Sequence, residues 1–271
     1  MRVHGPASLP RLIYLPGLHG DWTLVSSFRA AVAGNVRFVE FTYPRSLTWR
    51  VEDYAAAIEE ALAAHGLRSG WLLAESFGSQ VGWAMVERQK RPATTSGGPS
   101  FSISGVILVG GFVKHPWPWG ARLMRHLGQV TPMPVYRALL SGYEFYAHFR
   151  HRQAPETRAS IREFVARRTL PDRQAMRARL ELVATNDPRS IARRTTVPVF
   201  YLAGLVDPLV PWPWVRWWLR RNCPGYRGGK TCWRADHNVL GTQPKLAAQI
   251  LLRWIRAPSP APLVRPADAN H

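Results

Sequence analysis

Cysteine is nearly absent from this chain of 271 residues, which holds only Cys223 and Cys232. They stand near Gly225, Gly228 and Gly229, with no Cys or His at metal-binding spacing. That excludes a disulfide-rich scaffold and leaves little case for a structural metal; reduced, partly buried thiols are expected. Long apolar runs are missing too. No stretch reaches the roughly 18 consecutive apolar residues of a membrane-spanning helix. The opening Met1-Arg2-Val3-His4-Gly5-Pro6 leads into Ala7-Ser8-Leu9-Pro10 without the apolar core of a secretory signal, so a cytoplasmic location is expected. Lysine is scarce: Lys90, Lys114, Lys230 and Lys245 are the only four, so 36 basic residues less 4 leaves 32 arginines. Acidic residues number 17, and the net charge is +19. Such a charge suits an acidic partner, but no nucleic-acid motif accompanies it. A compositional preference for arginine at surface positions is the favoured explanation, and nucleic acid is not an expected partner.

What is present is organised around Trp71-Leu72-Leu73-Ala74-Glu75-Ser76-Phe77-Gly78-Ser79-Gln80. A short apolar run arrives at a serine flanked at minus two and plus two by small residues, and a helix-compatible segment follows from Ser79. This is the layout of a nucleophile elbow, where a strand turns sharply into a helix and exposes the serine at the bend. Ala74 stands where glycine is usual. It preserves smallness, so the turn should survive.

Strand and helix patterns alternate along the chain. Strands are expected at 11–15, 36–41, 71–74, 105–109 and 197–204, with a short last one at 229–233. Helices are expected at 23–33, 52–65, 79–90, 211–222 and 243–256. Residues 91–102, rich in Pro, Thr, Ser and Gly, read as a mobile surface loop. Between 113 and 195 no strand pattern occurs. Helical spacing appears at 121–127, 135–149, 156–167 and 172–185, and this block's 16 basic and 6 acidic residues supply +10 of the charge. The last stretch, 257–271, is Pro- and Ala-rich and is expected to be disordered. Alternation of this kind implies a mostly parallel sheet with helices on both faces, whose ligands bind at the carboxyl ends of the strands.

The candidate chemical residues all fall at strand ends. A serine hydroxyl needs a base within hydrogen-bond reach, and the base needs an orienting acid. Ser76 follows the 71–74 strand, Asp207 the 197–204 strand, and His237 the expected last strand at 229–233. Of the other histidines, His4 and His271 are terminal and His65 adjoins a helix end. His19 lies in an early loop, and His115, His126, His148 and His151 lie in the helical block. Asp187 precedes Pro188, where a turn role fits better, and Asp236 adjoins His237 and would point elsewhere. Glu75, next to the serine, is read as either shaping the pocket or capping a neighbouring loop, with the second preferred.

The order Ser76, Asp207, His237 resembles the α/β-hydrolase superfamily. The resemblance covers roughly 11–112 and 196–256, with 113–195 in the place of the family's helical cap. It implies an α/β-hydrolase core of 1–112 and 196–256 with a cap of 113–195 inserted after the fourth recognised strand. It also implies an oxyanion hole made by the backbone N–H groups of Phe77 and of the loop Tyr14-Leu15-Pro16-Gly17-Leu18-His19-Gly20-Asp21. Leu18 is preferred as donor because Gly17 directly follows the strand; a shifted register would use Asp21. In that loop Pro16 stands where the family usually has histidine. The implied activity is cleavage of a carboxylic ester or thioester through an acyl-enzyme, with no cofactor or metal. The substrate is a small molecule, with an anionic or carrier-bound one kept open. Compact cap-bearing members also include lyases and methyl-ester hydrolases acting on acyl carrier protein, and a non-catalytic binding protein on this scaffold is a further alternative. The aromatic residues of the block (Trp117, Trp119, Tyr136, Tyr143, Phe145, Tyr146 and Phe149) are expected to form its core, a pocket wall, or both. The Trp-rich helix at 211–222 suits either core or an interface.

Overall fold

A computed structural model of the chain describes residues 1–89 and 101–257. In chain order the elements are β1 (Arg2–His4), β2 (Arg11–Leu15), α1 (Ser26–Val32), β3 (Arg37–Glu40), α2 (Val51–Ala64), β4 (Ser69–Glu75), α3 (Gly78–Gln89) and β5 (Ser102–Val109). Six helices follow: α4 (Pro118–Val130), α5 (Met133–Arg150), α6 (Pro155–Ala159), α7 (Ile161–Ala166), α8 (Leu170–Thr185) and α9 (Arg189–Arg193). The chain then returns through β6 (Val199–Gly204), α10 (Trp212–Asn222), β7 (Tyr226–Cys232), α11 (Val239–Thr242) and α12 (Pro244–Arg256).

Seven strands form one sheet in the order β1-β3-β2-β4-β5-β6-β7. All neighbours are parallel except β1, which runs antiparallel on β3. The central strands are apolar on both sides because both faces are covered. Alternation sends Leu12, Tyr14, Leu73, Ile107 and Val109 into a core with Phe28 and Val32 of α1 and Leu251 of α12. Ile13, Leu15, Leu72, Val106 and Leu108 pack on the other face with Tyr54 and Ile58 of α2, Met85 of α3 and Leu219 of α10. Each such fully buried aliphatic side chain contributes about 1.5–3 kcal/mol.

The architecture is the expected one, with local differences. β1 has no sequence signal because it is three residues long. It is an edge strand held by Glu40, whose buried carboxylate takes Arg29 at 2.8 Å and His4 at 3.1 Å. Residues 23–25 form a 3-10 turn ahead of α1 rather than its first turn. β7 starts at Tyr226, earlier than expected, because its Gly-rich run lacks an alternating pattern. α9 and α11, of five and four residues, are too short to show periodicity. The expected 91–102 loop lies almost wholly outside the described residues, though Ser102 begins β5. The 257–271 tail lies outside them beyond Ala257. No described helix is long and apolar enough to cross a membrane. No disulfide joins Cys223 and Cys232, and both are buried.

Two expectations about the helical block need correction. Of its seven singled-out aromatics, Trp117, Trp119, Phe145, Tyr146 and Phe149 are among the exposed large hydrophobics, so they form no core there. Nor is arginine confined to the surface: Arg168, Arg173 and Arg179 are buried. Each guanidinium donates to backbone carbonyls, with Arg179 Nε left unmatched. Arg173 serves the carbonyls of Gly128 and Thr131 at the carboxyl end of α4, where helical carbonyls lack partners. Arg168 and Arg179 serve the loop after β2.

Candidate active site

The site begins with the turn between β4 and α3. Ser76 is the only non-glycine residue with positive φ among the described residues, at 49°. The left-handed conformation costs a residue with a Cβ about 1 kcal/mol and persists only where neighbours over-determine it. Here the Ser76 N–H donates to the Val109 carbonyl at 3.0 Å, and the Ser76 carbonyl takes the Ser79 N–H at 2.9 Å. The Ser79 hydroxyl donates to the same carbonyl at 2.6 Å. The two small neighbours answer different demands. A Cβ on Gly78 would stand 2.2 Å from the Leu15 carbonyl oxygen, so nothing larger fits. Ala74 has room because Gly82 faces it: a Cβ on Gly82 would lie 3.4 Å from the Ala74 methyl.

The structure brings the three separated residues together. Ser76 Oγ lies 2.9 Å from His237 Nε2, and His237 Nδ1 lies 2.8 Å from Asp207 Oδ2. The other Asp207 oxygen accepts from the N–H groups of Leu209 at 2.8 Å and Val210 at 3.0 Å, which locks a fully buried carboxylate. Burial opposes charge on His237, but the hydrogen bond and charge of Asp207, with Glu75 and Asp236 behind them, carry its pKa above the ordinary value of 6.5. Gly110, at the end of β5, lets the ring approach, since a Cβ there would stand 3.2 Å from the imidazole.

The rival acids point elsewhere. Asp236 pairs with Arg150 of α5 at 3.0 Å, and Asp187 pairs with Arg189 and Lys114. Glu75 caps no loop. It is buried beside the serine and accepts a hydrogen bond from the Tyr14 hydroxyl. The loop after β2 runs beside the nucleophile: a Cβ on Gly17 would stand 3.3 Å from that of Ser76. Among the described residues, neither the Leu18 nor the Phe77 N–H donates a hydrogen bond.

The loop is held from the helical block by residues that sequence reasoning missed. Arg179 of α8 donates to the Leu18 carbonyl at 2.8 Å and to the Pro44 carbonyl at 3.0 Å. Arg168 donates to the His19 carbonyl at 3.0 Å and pairs with the Asp21 carboxylate. Burial opposes charge on Asp21, but His19, Arg168 and the Thr23 hydrogen bonds hold its pKa below the carboxylate range. Only buried, unpaired-looking arginines in a helical pattern could have signalled this, and 32 arginines mask such a signal. Beside the site, a cavity of about 270 Å³ is lined by Val113, His115, Pro116, Trp214 and Trp218, with Lys114 and Arg189 among its polar residues. His115 lies within electrostatic reach of His237 and Asp207.

Comparison with known proteins bears on the fold. The family model described as alpha/beta hydrolase fold matches residues 25–237. No curated protein matches by sequence. Solved structures match along nearly the whole chain at low identity. A hydrolase from Pseudomonas aeruginosa PA01 has a TM-score of 0.73 at 16% identity, covering 94% of this chain and 93% of that one. The enol-lactonase from Burkholderia xenovorans LB400 has a TM-score of 0.73 at 15% identity, covering 94% and 95%. A thermophilic esterase from Thermogutta terrifontis has a TM-score of 0.69 at 18% identity, covering 94% and 92%. With the family model spanning most of its length, the chain belongs to the α/β-hydrolase fold family.

Proposed function

We propose that the chain is a serine hydrolase of carboxylic esters or thioesters, with Ser76 as nucleophile, His237 as general base and acid, and Asp207 as the orienting carboxylate. The observation that supports it most is the unbroken hydrogen-bonded line from Ser76 Oγ through His237 to Asp207, 2.9 and 2.8 Å, starting at a serine held at φ 49°. His237 takes the hydroxyl proton as Ser76 attacks the carbonyl. Asp207 stabilises the imidazolium that forms without taking its proton. The oxyanion rests on the Leu18 and Phe77 N–H groups, each positioned before the charge appears. His237 then protonates the leaving alcohol or thiol, and water repeats the sequence to release the acid.

In this reading residues 113–195 act as a cap over a core of 1–112 and 196–256, and the cavity beside the site receives part of the substrate. Its walls favour an apolar group. The two cations near it, Lys114 and Arg189, both hold Asp187, which weakens the case for an anionic or carrier-bound substrate. A cytoplasmic location belongs to the same reading.

A fluorophosphonate probe tests the assignment. Wild type should label on Ser76 and Ser76→Ala should not; equal labelling of both would overturn it. A chain-length series of p-nitrophenyl esters and thioesters then identifies the substrate class.

A further inference from the structure

Two helices of the block turn their apolar stripes away from the protein. In α4, Trp119, Leu123, Leu127 and Val130 recur at spacings of four, four and three, which puts them on one face. They are 45 to 64% exposed, while Ala121 on the opposite face is buried and the helix packs on α8. In α5, Val135, Leu139, Tyr146 and Phe149 make a second stripe, 49 to 66% exposed, with Ala147 buried on the other side. An amphipathic helix of a globular protein normally turns this stripe to the core. Apolar surface of this extent, left in water, marks an interaction site.

Charge decides which partner fits. Arg122 adjoins the α4 stripe and Arg152 lies over the Phe149 ring of the α5 stripe, both exposed, and neither forms an ion pair among the described residues. The only acidic residue on either helix is Glu144, which already faces Arg162. Arg125 and Arg150 are held by Glu181 and Asp236. Whatever covers the stripes therefore meets apolar surface edged with uncompensated positive charge. A second copy of the chain would bring like charges together. An anionic lipid surface would gain on both counts: Trp119, Tyr146 and Phe149 are side chains that settle at the headgroup boundary, and arginine stems lie along apolar surface while their heads reach phosphate. The net charge of +19 would steer the molecule there.

We propose that α4 and α5 form a docking surface for an anionic phospholipid bilayer. The proposal goes beyond the hydrolase reading and does not depend on it.

Co-sedimentation of the full chain with phosphatidylcholine vesicles, with and without phosphatidylglycerol, provides the test. Three proteins are compared: wild type, Leu123→Gln/Leu139→Gln, which leaves the charge unchanged, and Arg122→Gln/Arg152→Gln. All four positions are solvent-facing, so the variants should fold, which circular dichroism checks. Wild type should bind the anionic vesicles and not the neutral ones, in a salt-sensitive manner. Either double variant should lose about tenfold in partitioning. Hydrolysis of a short soluble ester should be unchanged in both, which separates this proposal from the assignment of Ser76. Three results would overturn it: no binding of wild type to anionic vesicles; undiminished binding by the leucine variant, which would assign the effect to overall charge; or a wild-type dimer that the leucine substitutions convert to monomer, which would assign the surface to self-association.

Discussion

Arg179 of α8 donates to the carbonyl of Leu18 at 2.8 Å, so a helix inserted between β5 and β6 holds the residue whose N–H is proposed to receive the oxyanion. The same guanidinium ties Leu18 to Pro44, and Gly20, at φ +77°, makes room for it: a Cβ there would lie 2.4 Å from Nη1. Arg179→Ala leaves two carbonyls without their donor and the loop without its tether. An oxyanion donor displaced by about 1 Å costs on the order of 10²-fold in rate. The expected outcome is a drop of about that size in kcat on a small ester with KM changed by less than about threefold. Arg179→Lys, which keeps one donor, should recover part of it. A change in melting temperature alone, with kcat intact, would make Arg179 purely structural.

The pH profile follows from His237. As general base it must be neutral, and its pKa is raised, so kcat/KM should climb with pH along a limb centred above 6.5. Asp207→Asn removes the chief contributions that raise the pKa and leaves burial, which lowers it. The limb should then move to lower pH while the plateau falls by about 10⁴-fold. A limb that stays in place after this substitution would detach the titration from His237.

Most of this site was legible in sequence because its chemistry sits at strand ends, and strands announce themselves as apolar runs. Ser76 and Asp207 each follow such a run; His237 follows the Gly-rich β7, and only its place in the order along the chain singled it out. Arg168, Arg179 and Gly110 were illegible for different reasons. The arginines act across more than a hundred residues of sequence, Arg179 from α8 and Arg168 from the turn before it, and nothing local separates a buried guanidinium from a solvated one. Gly110 reads as a strand terminator until the ring of His237 is placed against it. The exposed aromatics misled in the opposite sense: periodicity established that α4 and α5 are amphipathic, but not which way their apolar faces point.

Acid should loosen the fold through buried histidines. His19, His115 and His151 all have pKa values lowered from 6.5, in each case first by burial. A histidine whose folded pKa lies below its unfolded value binds fewer protons folded than unfolded. It contributes stability above about 6.5, and that stability is lost as pH falls from there through the folded pKa. His151 is the informative one, because its Nδ1 bonds the Gly241 carbonyl at 2.8 Å and joins α5 to the segment after His237. Melting temperature should fall between pH 6.5 and 5, and His151→Asn should flatten part of that slope while lowering the temperature at pH 7.5. An unchanged slope would place the acid sensitivity in other groups.

The two small residues around Ser76 should respond oppositely to a change of one methyl. Gly78→Ala sets a Cβ 2.2 Å from the Leu15 carbonyl oxygen, a backbone atom in the middle of the sheet that cannot step aside. Overpacking of this kind costs about 1–3 kcal/mol, at the upper end here because backbone is involved. The serine would be displaced with the turn. Ala74→Gly removes a fully buried methyl that rests against Gly82, leaves a void of methyl size and adds chain entropy to the unfolded state, together about 1 kcal/mol. The turn itself keeps its geometry. Urea unfolding of the two variants should separate them by at least about 1 kcal/mol, and fluorophosphonate labelling should persist in Ala74→Gly while failing in Gly78→Ala. Equal labelling of both would mean that the steric limit at position 78 does not set the position of Ser76.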